Sequence, residues 1–369
     1  MDFLVKKNDL LKELSFVQGV VERKNTIPIL SNLLLEAKGS DLQITATDLD
    51  VSIECNCAAT IKVAGALALS ARKLFDIIRS LPDTSEIHFK SSDKDWVTIT
   101  CEKSRFKIVG LPRDNFPAIP SPGQESRQLP AAVLGSMIAR SIFAITQEES
   151  RYSLNGALMI LKPSSLSMVT TDGHRLVMIT RNLEVDGVEA EVRALIPKKT
   201  LTELAKLASE SEQPIQFSRD ENHLFFQVGK RLLVSRVLAG QFPNYELVLP
   251  RENDKTVIAS SRELADALRR ASIMADERSR AIKMSVSDGQ LEVFSSSADY
   301  GEAADSVAVQ YTGDRMEIGF NAQYLIEFLN AIEDQEVSIH LKDEETQGLF
   351  RPHTNKDFDY QYVVMPMKL

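Results

Sequence analysis

The segment Thr171-Asp-Gly-His-Arg-Leu176 holds the residue types in this sequence that could support acid–base chemistry. An Asp-Gly pair after a strand is also typical of a turn. The sequence contains no nucleophile elbow, zinc-protease motif, phosphate-binding loop or dinucleotide fingerprint to accompany it. The segment therefore allows a catalytic or a structural interpretation, and the missing partners favour the turn.

Basic side chains recur seven residues apart in three segments with helical periodicity. Seven residues are close to two helical turns, so the members of each pair share a face. The net charge is −9, and acids concentrate in loops such as 209–212 and 333–336. The pattern is typical either of ordinary solvated helix faces or of a surface that contacts a polyanion. The pairs are Arg72 with Arg79, Lys199 with Lys206, and Arg262 with Arg269.

Those helices belong to a repeat. Segments 71–81, 197–207 and 321–331 resemble one another, and each leads through an acidic turn into an apolar strand. Their starts are separated by close to one third of the 369 residues. A fixed period of this size predicts three similar domains. We place them at 1–120, 128–250 and 251–369, with Pro-, Gly- and polar-rich linkers at 120–128 and 250–255.

Each repeat has the pattern of an α+β fold. Alternating segments such as 96–100 and 223–228 predict strands, which outnumber helices. A second amphipathic helix is expected near the start of each copy, at 10–21, 134–145 and 264–274. We expect mostly antiparallel sheets with two helices per domain packed on one face.

Composition indicates a soluble globular chain, with 43% hydrophobic and 26% charged residues. The first residues lack the pattern of a signal peptide, and the longest near-apolar stretch, 63–71, is far too short to span a membrane. The three cysteines, Cys55, Cys57 and Cys101, are odd in number and lie in predicted strands. They predict reduced thiols and a cytoplasmic location. No metal site or cofactor is expected, because Cys55 and Cys57 lack a second ligand pair.

Six segments then carry a resemblance over the whole chain: Thr26-Ile-Pro-Ile-Leu-Ser-Asn32, Leu154-Asn-Gly156, Thr171 to Leu176, Phe242-Pro-Asn-Tyr245, Met316-Glu-Ile-Gly-Phe-Asn321 and Tyr362 to Leu369. With the threefold repeat, the sequence resembles the bacterial sliding clamps, the beta subunits of DNA polymerase III. The resemblance implies the DNA clamp fold, with helices inside, antiparallel sheets outside, and a head-to-tail homodimer forming a six-domain ring. It implies a non-enzymatic processivity factor that encircles duplex DNA and tethers the polymerase.

Helix dimensions support two copies independently. Six helices at about 10 Å spacing would leave a bore of only about 9 Å, and twelve would leave about 28 Å. A B-form duplex, whose grooves are about 8 Å deep, needs roughly 20 Å. One chain is therefore too small to encircle DNA, whereas two chains suffice.

The resemblance also implies residues that contact DNA without sequence specificity: Arg23, Lys24, Arg72, Gln147, Arg151, Tyr152, Lys198 and Lys199. Arg79 and Lys206 are added from the seven-residue spacing alone. The implied dimer contact joins sheet edges of the first and third domains. Its residues are Phe106 with Ile273 and Met274, and Lys73, Lys103 and Arg105 facing Glu302 and Asp305.

A hydrophobic cleft for short partner peptides is implied between the second and third domains. Its residues are Leu154, Thr171, Gly173, His174, Arg175, Leu176, Pro243, Leu247, Val248, Asn321, Tyr324, Val363, Val364, Met365, Pro366 and Met367. The partners implied are the DNA polymerase catalytic subunit, the clamp loader and other proteins carrying clamp-binding peptides. Glu246-Leu247 stands where an arginine pair is common in the family, and Lys368 stands where arginine is common.

Two other functions fit parts of the sequence. An enzyme would use Thr171 to Arg175 as its site and would lose turnover in His174→Ala. A small-molecule or protein-binding module without DNA would be monomeric and would not be retained on circular duplex. An apolar C-terminal segment such as Val363-Val364 is also typical of a buried last strand.

Overall fold

The computed structural model describes residues 1–21, 27–92, 94–146, 148, 150–354 and 357–368. Within them, one order of elements occurs three times: strand, helix, four strands, helix, three strands. This repetition confirms the predicted α+β class and its threefold character. The helices of this part of the chain are α1 (Lys7–Val17), α2 (Ala71–Ser80), α3 (Ala131–Ala139), α4 (Lys198–Ser209), α5 (Ser261–Ser272) and α6 (Ala322–Ala331).

The first helix of each repeat begins three residues before its predicted start and ends earlier than predicted. Apolar periodicity locates the buried stripe of a helix, whereas capping groups locate its ends. In α5 the cap is Ser260, whose hydroxyl accepts a hydrogen bond from the Glu263 amide at 3.3 Å. In α3 the helix ends at Ala139, and the chain continues as a short 3₁₀ turn over 142–144.

Residues 1–132 and 202–237 form one compact unit with a single antiparallel sheet. The sheet order is β8-β7-β6-β1-β4-β16-β15-β14-β9, and β3, β2 and β5 continue from β4. Its strands are β1 (Asp2–Lys6), β2 (Asn32–Lys38), β3 (Asp41–Thr47), β4 (Val51–Val63), β5 (Gly65–Ser70), β6 (Glu86–Ser91), β7 (Trp96–Cys101), β8 (Ser104–Val109), β9 (Arg127–Leu129), β14 (Ile215–Arg219), β15 (His223–Val228) and β16 (Arg231–Arg236).

Residues 133–201 and 238–369 form the second unit, again around one antiparallel sheet. Its order is β13-β10-β11-β12-β24-β23-β22-β17-β20-β19-β18-β21. Its strands are β10 (Gly156–Lys162), β11 (Ser165–Thr171), β12 (Arg175–Asn182), β13 (Val192–Pro197), β17 (Lys255–Ser260), β18 (Ala281–Ser287), β19 (Gln290–Ser297), β20 (Gly301–Gln310), β21 (Met316–Asn321), β22 (Glu336–Leu341), β23 (Gly348–Pro352) and β24 (Asp359–Val364).

The two sheets join successive repeats by one rule. The fourth strand of the first repeat, β4, pairs with the last strand of the second repeat, β16. The fourth strand of the second repeat, β12, pairs in the same way with the last strand of the third, β24. The strands that would continue the series are β20 and β8. Residues 301–308 of β20 pair with β19 alone, and β8 is the end strand of its sheet.

Each unit has its own apolar core beneath its helices. In the first, α1 packs against α2 and β4, and Leu10, Leu14 and Ile78 are fully buried. In the second, α5 packs against α6 and β20, and the ring of Phe328 stacks on Tyr362 with centroids 4.6 Å apart. Burial of large apolar side chains is the main stabilising contribution in both units. No helix in the described ranges is long and apolar enough to cross a membrane.

Candidate functional site

The segment between β11 and β12 is a tight turn built by its own side chains. The Asp172 carboxylate accepts hydrogen bonds from the amides of His174 at 2.9 Å and Arg175 at 3.1 Å. The Thr171 hydroxyl accepts from the Gly173 amide at 3.0 Å and donates to the Arg175 carbonyl at 2.6 Å. Gly173 has a φ of +92°, which glycine adopts most readily. The structural interpretation of this segment is therefore correct, and the hydrogen bonds of the turn fix where its side chains point.

The Arg175 guanidinium is held below this turn rather than aimed at solvent. It donates to the Asp172 carboxylate at 2.9 Å, to the Glu327 carboxylate at 2.5 Å and to the Phe143 carbonyl at 2.7 Å. It also lies 4.3 Å from the ring centroid of Tyr324, a cation–π contact. The side chain is only 7% exposed. Arg175 is thus a structural cation that joins the turn to helix α6.

The charge of Arg175 is permanent in this environment. Burial acts to lower the pKa of Arg175, but the neighbouring oxygens of Tyr362, Glu327 and Asp172 outweigh it and the pKa is raised. Burial also raises the pKa of Tyr362, whose hydroxyl donates to the Tyr324 carbonyl at 2.9 Å. Neither group can exchange a proton near neutral pH. Within the described residues, no group of three or more His, Cys, Asp or Glu side chains could hold a metal ion.

Beside the turn lies an apolar cavity of about 210 Å³. Ten of the predicted cleft residues line it: Leu154, Thr171, Gly173, His174, Arg175, Leu176, Pro243, Val248, Val363 and Met365. Asn244 and Tyr245 also line it and were missed by sequence reasoning. They lie at a short 3₁₀ turn over 245–247, within the Phe242-Pro-Asn-Tyr245 motif.

The floor of the cavity continues into a packed apolar cluster. Leu158, Val169 and Leu349 are buried there with Tyr245, and the ring of Phe242 packs edge-on against Tyr245. Burial raises the pKa of the Tyr245 hydroxyl, so this group remains protonated. A ligand seated in the cavity would therefore meet mainly carbon atoms, with polar groups at the rim.

The C-terminal strand has two faces with different surroundings. Val363 is 1% exposed and lines the cavity, whereas Val364 is fully buried and absent from its lining. After the strand, the Met365 amide donates to the His174 carbonyl at 2.9 Å, and the Met367 amide donates to the Gly319 carbonyl at 2.8 Å. The segment is both a buried last strand and one wall of the cavity.

The remaining predicted cleft residues lie outside the cavity lining. Leu247 is 80% exposed, and Asn321 caps α6 by accepting from the Gln323 amide at 2.9 Å. Tyr324 packs on Arg175, and Pro366 and Met367 are half-buried beyond the strand. Leu247 thus presents an apolar side chain to solvent, next to an exposed Glu246.

Three of the predicted DNA-contacting residues, Arg23, Lys24 and Gln147, lie outside the described residues. In the first unit, Arg72 and Arg79 are exposed on α2, and each lies 4.0 Å from the Asp76 carboxylate between them. Lys206 is exposed but donates to the Glu203 carboxylate at 2.8 Å. Arg72 and Arg79 are held only loosely, whereas Lys206 shares its charge with a buried carboxylate.

In the second unit, Arg151 and Tyr152 are exposed before β10, and Tyr152 is 71% exposed. Lys198 begins α4 and donates to the Ile145 carbonyl at 3.3 Å. Burial lowers the pKa of Lys198, and the nearby Arg175 charge lowers it further. Lys199 follows it and is half-buried. Cationic groups and a tyrosine hydroxyl are groups that suit contact with a phosphate backbone.

The residues predicted for the dimer contact lie on or just before strands β8 and β20, which have open edges, or on and after helices α2 and α5. On β8, Arg105 is exposed and Phe106 half-buried, with Lys103 exposed just before it. On β20, Glu302 is exposed, and Asp305 accepts a hydrogen bond from Arg270 at 2.5 Å. This ion pair lowers the pKa of Asp305. Exposed Lys73 lies on α2, and after α5 Ile273 is 73% exposed and Met274 half-buried.

Comparison with known proteins identifies relatives over the full length. Three family models of the DNA polymerase III beta subunit match this chain: the N-terminal domain model matches residues 1–120, the central domain model 128–244 and the C-terminal domain model 246–368. The "Beta sliding clamp" of Pseudomonas putida is 34% identical over 371 residues and is covered completely, as is this chain.

Solved structures give the same result. The crystal structure of the DNA polymerase III subunit beta from Pseudomonas aeruginosa superposes with a TM-score of 0.95 at 34% identity, with both chains covered completely. The structure of a sliding clamp from the same organism bound to griselimycin superposes with a TM-score of 0.94 at 34% identity, again with complete coverage of both chains.

Proposed function

Because this chain belongs to the DNA polymerase III beta-subunit family, the bacterial sliding clamps, we propose that two copies close head to tail around duplex DNA. Its function is that of a sliding clamp, a non-catalytic processivity subunit. The observation that carries the proposed ring is the pairing rule of the sheets. Two of three equivalent strand junctions are made within the chain, and the strands for the third, β20 and β8, are left with open edges.

A second copy would complete both open edges. Strand β8 of one protomer would pair antiparallel with β20 of its partner, as β16 pairs with β4 and β24 with β12. A head-to-tail contact generates a closed ring when its rotation closes. Pairing the edges also removes two exposed templates for aggregation.

Side chains next to the edges support the same contact. Ile273, which is 73% exposed, and the half-buried Phe106 are apolar groups that a partner would cover. Lys103 and Arg105 lie on one edge, and Glu302 and Asp305 on the other. Because Arg270 already pairs with Asp305, the negative charge offered by the second edge rests chiefly on Glu302. Opposite charges favour the head-to-tail register over a like-with-like one.

The mechanism we propose is topological. A closed ring cannot leave a circle sideways, so phosphate contacts need only be weak, and weak contacts permit sliding. The proposed contacts come from Arg72, Arg79, Arg151, Tyr152 and the Lys198-Lys199 pair, with Arg23, Lys24, Gln147 and Lys206 as further contributors. Asp76 and Glu203 lie beside some of these cations and limit how strongly they hold a phosphate.

We assign the apolar cavity beside the Thr171–Arg175 turn to partner peptides. Its volume of about 210 Å³ suits one or two apolar side chains such as leucine or phenylalanine. Met365 at its wall can adapt to different anchors. The polymerase catalytic subunit, a clamp loader and other clamp-binding proteins would share this cleft in the cytoplasm, where replication takes place.

The experiment is topological as well. The protein is loaded onto nicked circular duplex with a bacterial clamp loader and ATP, the circle is then linearised, and both samples pass through gel filtration. Elution with circles and loss from linear DNA would support the ring. Loss from both, or equal retention on both, would contradict it. Omitting the loader is the control for direct binding.

A further inference from the structure

Arg151 contacts the turn that lines the peptide cleft. Its Nη1 donates to the Asp172 carbonyl at 3.0 Å, and its Nε lies 3.1 Å from the Glu148 carboxylate. Its own carbonyl accepts a hydrogen bond from the amide of Leu154, which lines the cleft, at 2.8 Å. One exposed arginine thus bonds to two segments of the cleft wall.

The Arg151 guanidinium occupies the space that a side chain at Gly173 would need. A Cβ added at Gly173 would lie 2.6 Å from Nη1 of Arg151, so the guanidinium, at the end of a flexible side chain, would have to move away from the turn. The positive φ of Gly173 is a second reason for glycine here. The carbonyl of the next residue, His174, accepts a hydrogen bond from the Met365 amide at 2.9 Å. The turn therefore also positions Met365 in the wall of the cleft.

We propose that Arg151 is a positioning residue for the peptide cleft and that duplex DNA competes for it, so that DNA and peptide weaken each other's binding. The inference rests on the proposed function, since it joins the proposed DNA surface to the proposed cleft. Thermodynamic coupling is reciprocal, so each ligand must affect the other equally.

The physical basis is the competition of three acceptors for one guanidinium. The Arg151 side chain is 42% exposed and is held by an exposed carboxylate and one carbonyl, contacts of modest strength. A phosphate binds an arginine bidentately through charge-assisted hydrogen bonds. Turning the guanidinium towards a phosphate would release the Asp172 carbonyl and empty the space beside Gly173. The turn would then lose a restraint that shapes the cleft.

The test measures binding of a labelled peptide with leucine and phenylalanine anchors. Its affinity is determined for the free protein and for protein loaded on nicked circles. We expect the affinity for the peptide to be at least about fivefold lower on DNA than in the free protein. A factor of about five is the lower end of typical coupling between two sites. In Arg151→Gln, peptide affinity should already be reduced in the free protein and should not change further on DNA. Arg181→Gln, an arginine at the far end of β12 that pairs with Asp357, is the matched control and should behave like the wild type.

Equal wild-type affinities on and off DNA would overturn the inference, as would full coupling in Arg151→Gln. If the protein is not retained on circles, or the free protein does not bind the peptide, the proposed function fails and this inference falls with it. Retention and peptide binding without coupling would overturn this inference alone.

A second measurement separates positioning from general damage. Gly173→Ala introduces the Cβ that meets Nη1, so it should weaken peptide binding. In an Arg151→Gln background the additional loss should be smaller, because that clash is gone, while backbone strain at φ +92° is common to both backgrounds. Equal losses in the two backgrounds would contradict direct positioning by Arg151.

Discussion

Nη1 of Arg175 lies 2.5 Å from Oε2 of Glu327, and this ion pair fastens the cleft turn to helix α6. The arginine side chain is 7% exposed and the glutamate 30%. A charge pair in such surroundings contributes chiefly through the penalty that follows when one member is removed. The cleft wall and the helix packing of the second unit therefore depend on the same contact.

We expect Arg175→Ala to lower the free energy of unfolding by about 3 kcal/mol, because it leaves Glu327 and Asp172 without their shared cation. Peptide binding should fall with it. Thermal and denaturant unfolding would measure the change, with the more exposed Arg181→Ala as control. A stability equal to that of the wild type would show that the ion pair contributes little to the free energy of unfolding.

The dimer contact is tested by charging its apolar residues. Phe106→Arg and Ile273→Asp should each give monomers that remain folded, because these side chains lie next to strand edges and not in a core. Light scattering would report the mass and circular dichroism the fold. Leu49→Asp changes another exposed apolar residue, 47% exposed in the β3–β4 turn, and should remain dimeric. Dimers of the Phe106 and Ile273 variants would count against the interface assignment.

The threefold organisation could be predicted from the sequence because each repeat must bury its own apolar stripes, and these are local patterns. In and directly after α2, the apolar side chains of Leu74, Ile78 and Leu81 are buried, whereas Arg72 and Arg79 lie exposed. Helix ends were less predictable, because they depend on single capping contacts such as that of Ser260.

Site residues that depend on contacts between distant segments were harder to foresee. Lys206 is predicted to contact DNA from its spacing alone, and the spacing gave no sign of its bond to Glu203. Glu203 is buried against the backbone of Gly19, where an added Cβ would lie 2.2 Å from its carboxylate. No periodicity carries that information. Tyr245 was missed as a cleft residue for a similar reason, since its position depends on the 3₁₀ turn after Pro243.

Deleting the C-terminal segment should separate peptide binding in the cleft from formation of the dimeric ring. Deleting residues 365–369 removes Met365 from the cavity wall and two backbone hydrogen bonds, to His174 and to Gly319. Strand β24 ends at Val364 and stays intact. Peptide binding should be lost while the dimer and its retention on circular DNA persist. Loss of the dimer would mean that the segment supports the fold beyond the cleft.

Glu54 gives a prediction about pH. This half-buried residue of β4 has a pKa raised above the ordinary 4.5, chiefly by burial, although a hydrogen bond with Gln43 opposes the rise. The folded state therefore keeps this proton to higher pH than the unfolded state does. The burial penalty is absent well below pH 4.5, grows as pH rises through the folded pKa, and is complete above it.

Glu54→Gln removes the charge while keeping an acceptor and a donor for Gln43. It should raise the unfolding temperature near neutral pH, by an amount on the order of 1 °C because the site is only half-buried. Well below pH 4.5 the variant and the wild type should unfold at the same temperature, since both are then uncharged at this position. Glu292→Gln, at an exposed position of β19, is the control and should show no such pH-dependent difference. Stabilisation of equal size at both pH values would mean that packing, not charge, is responsible.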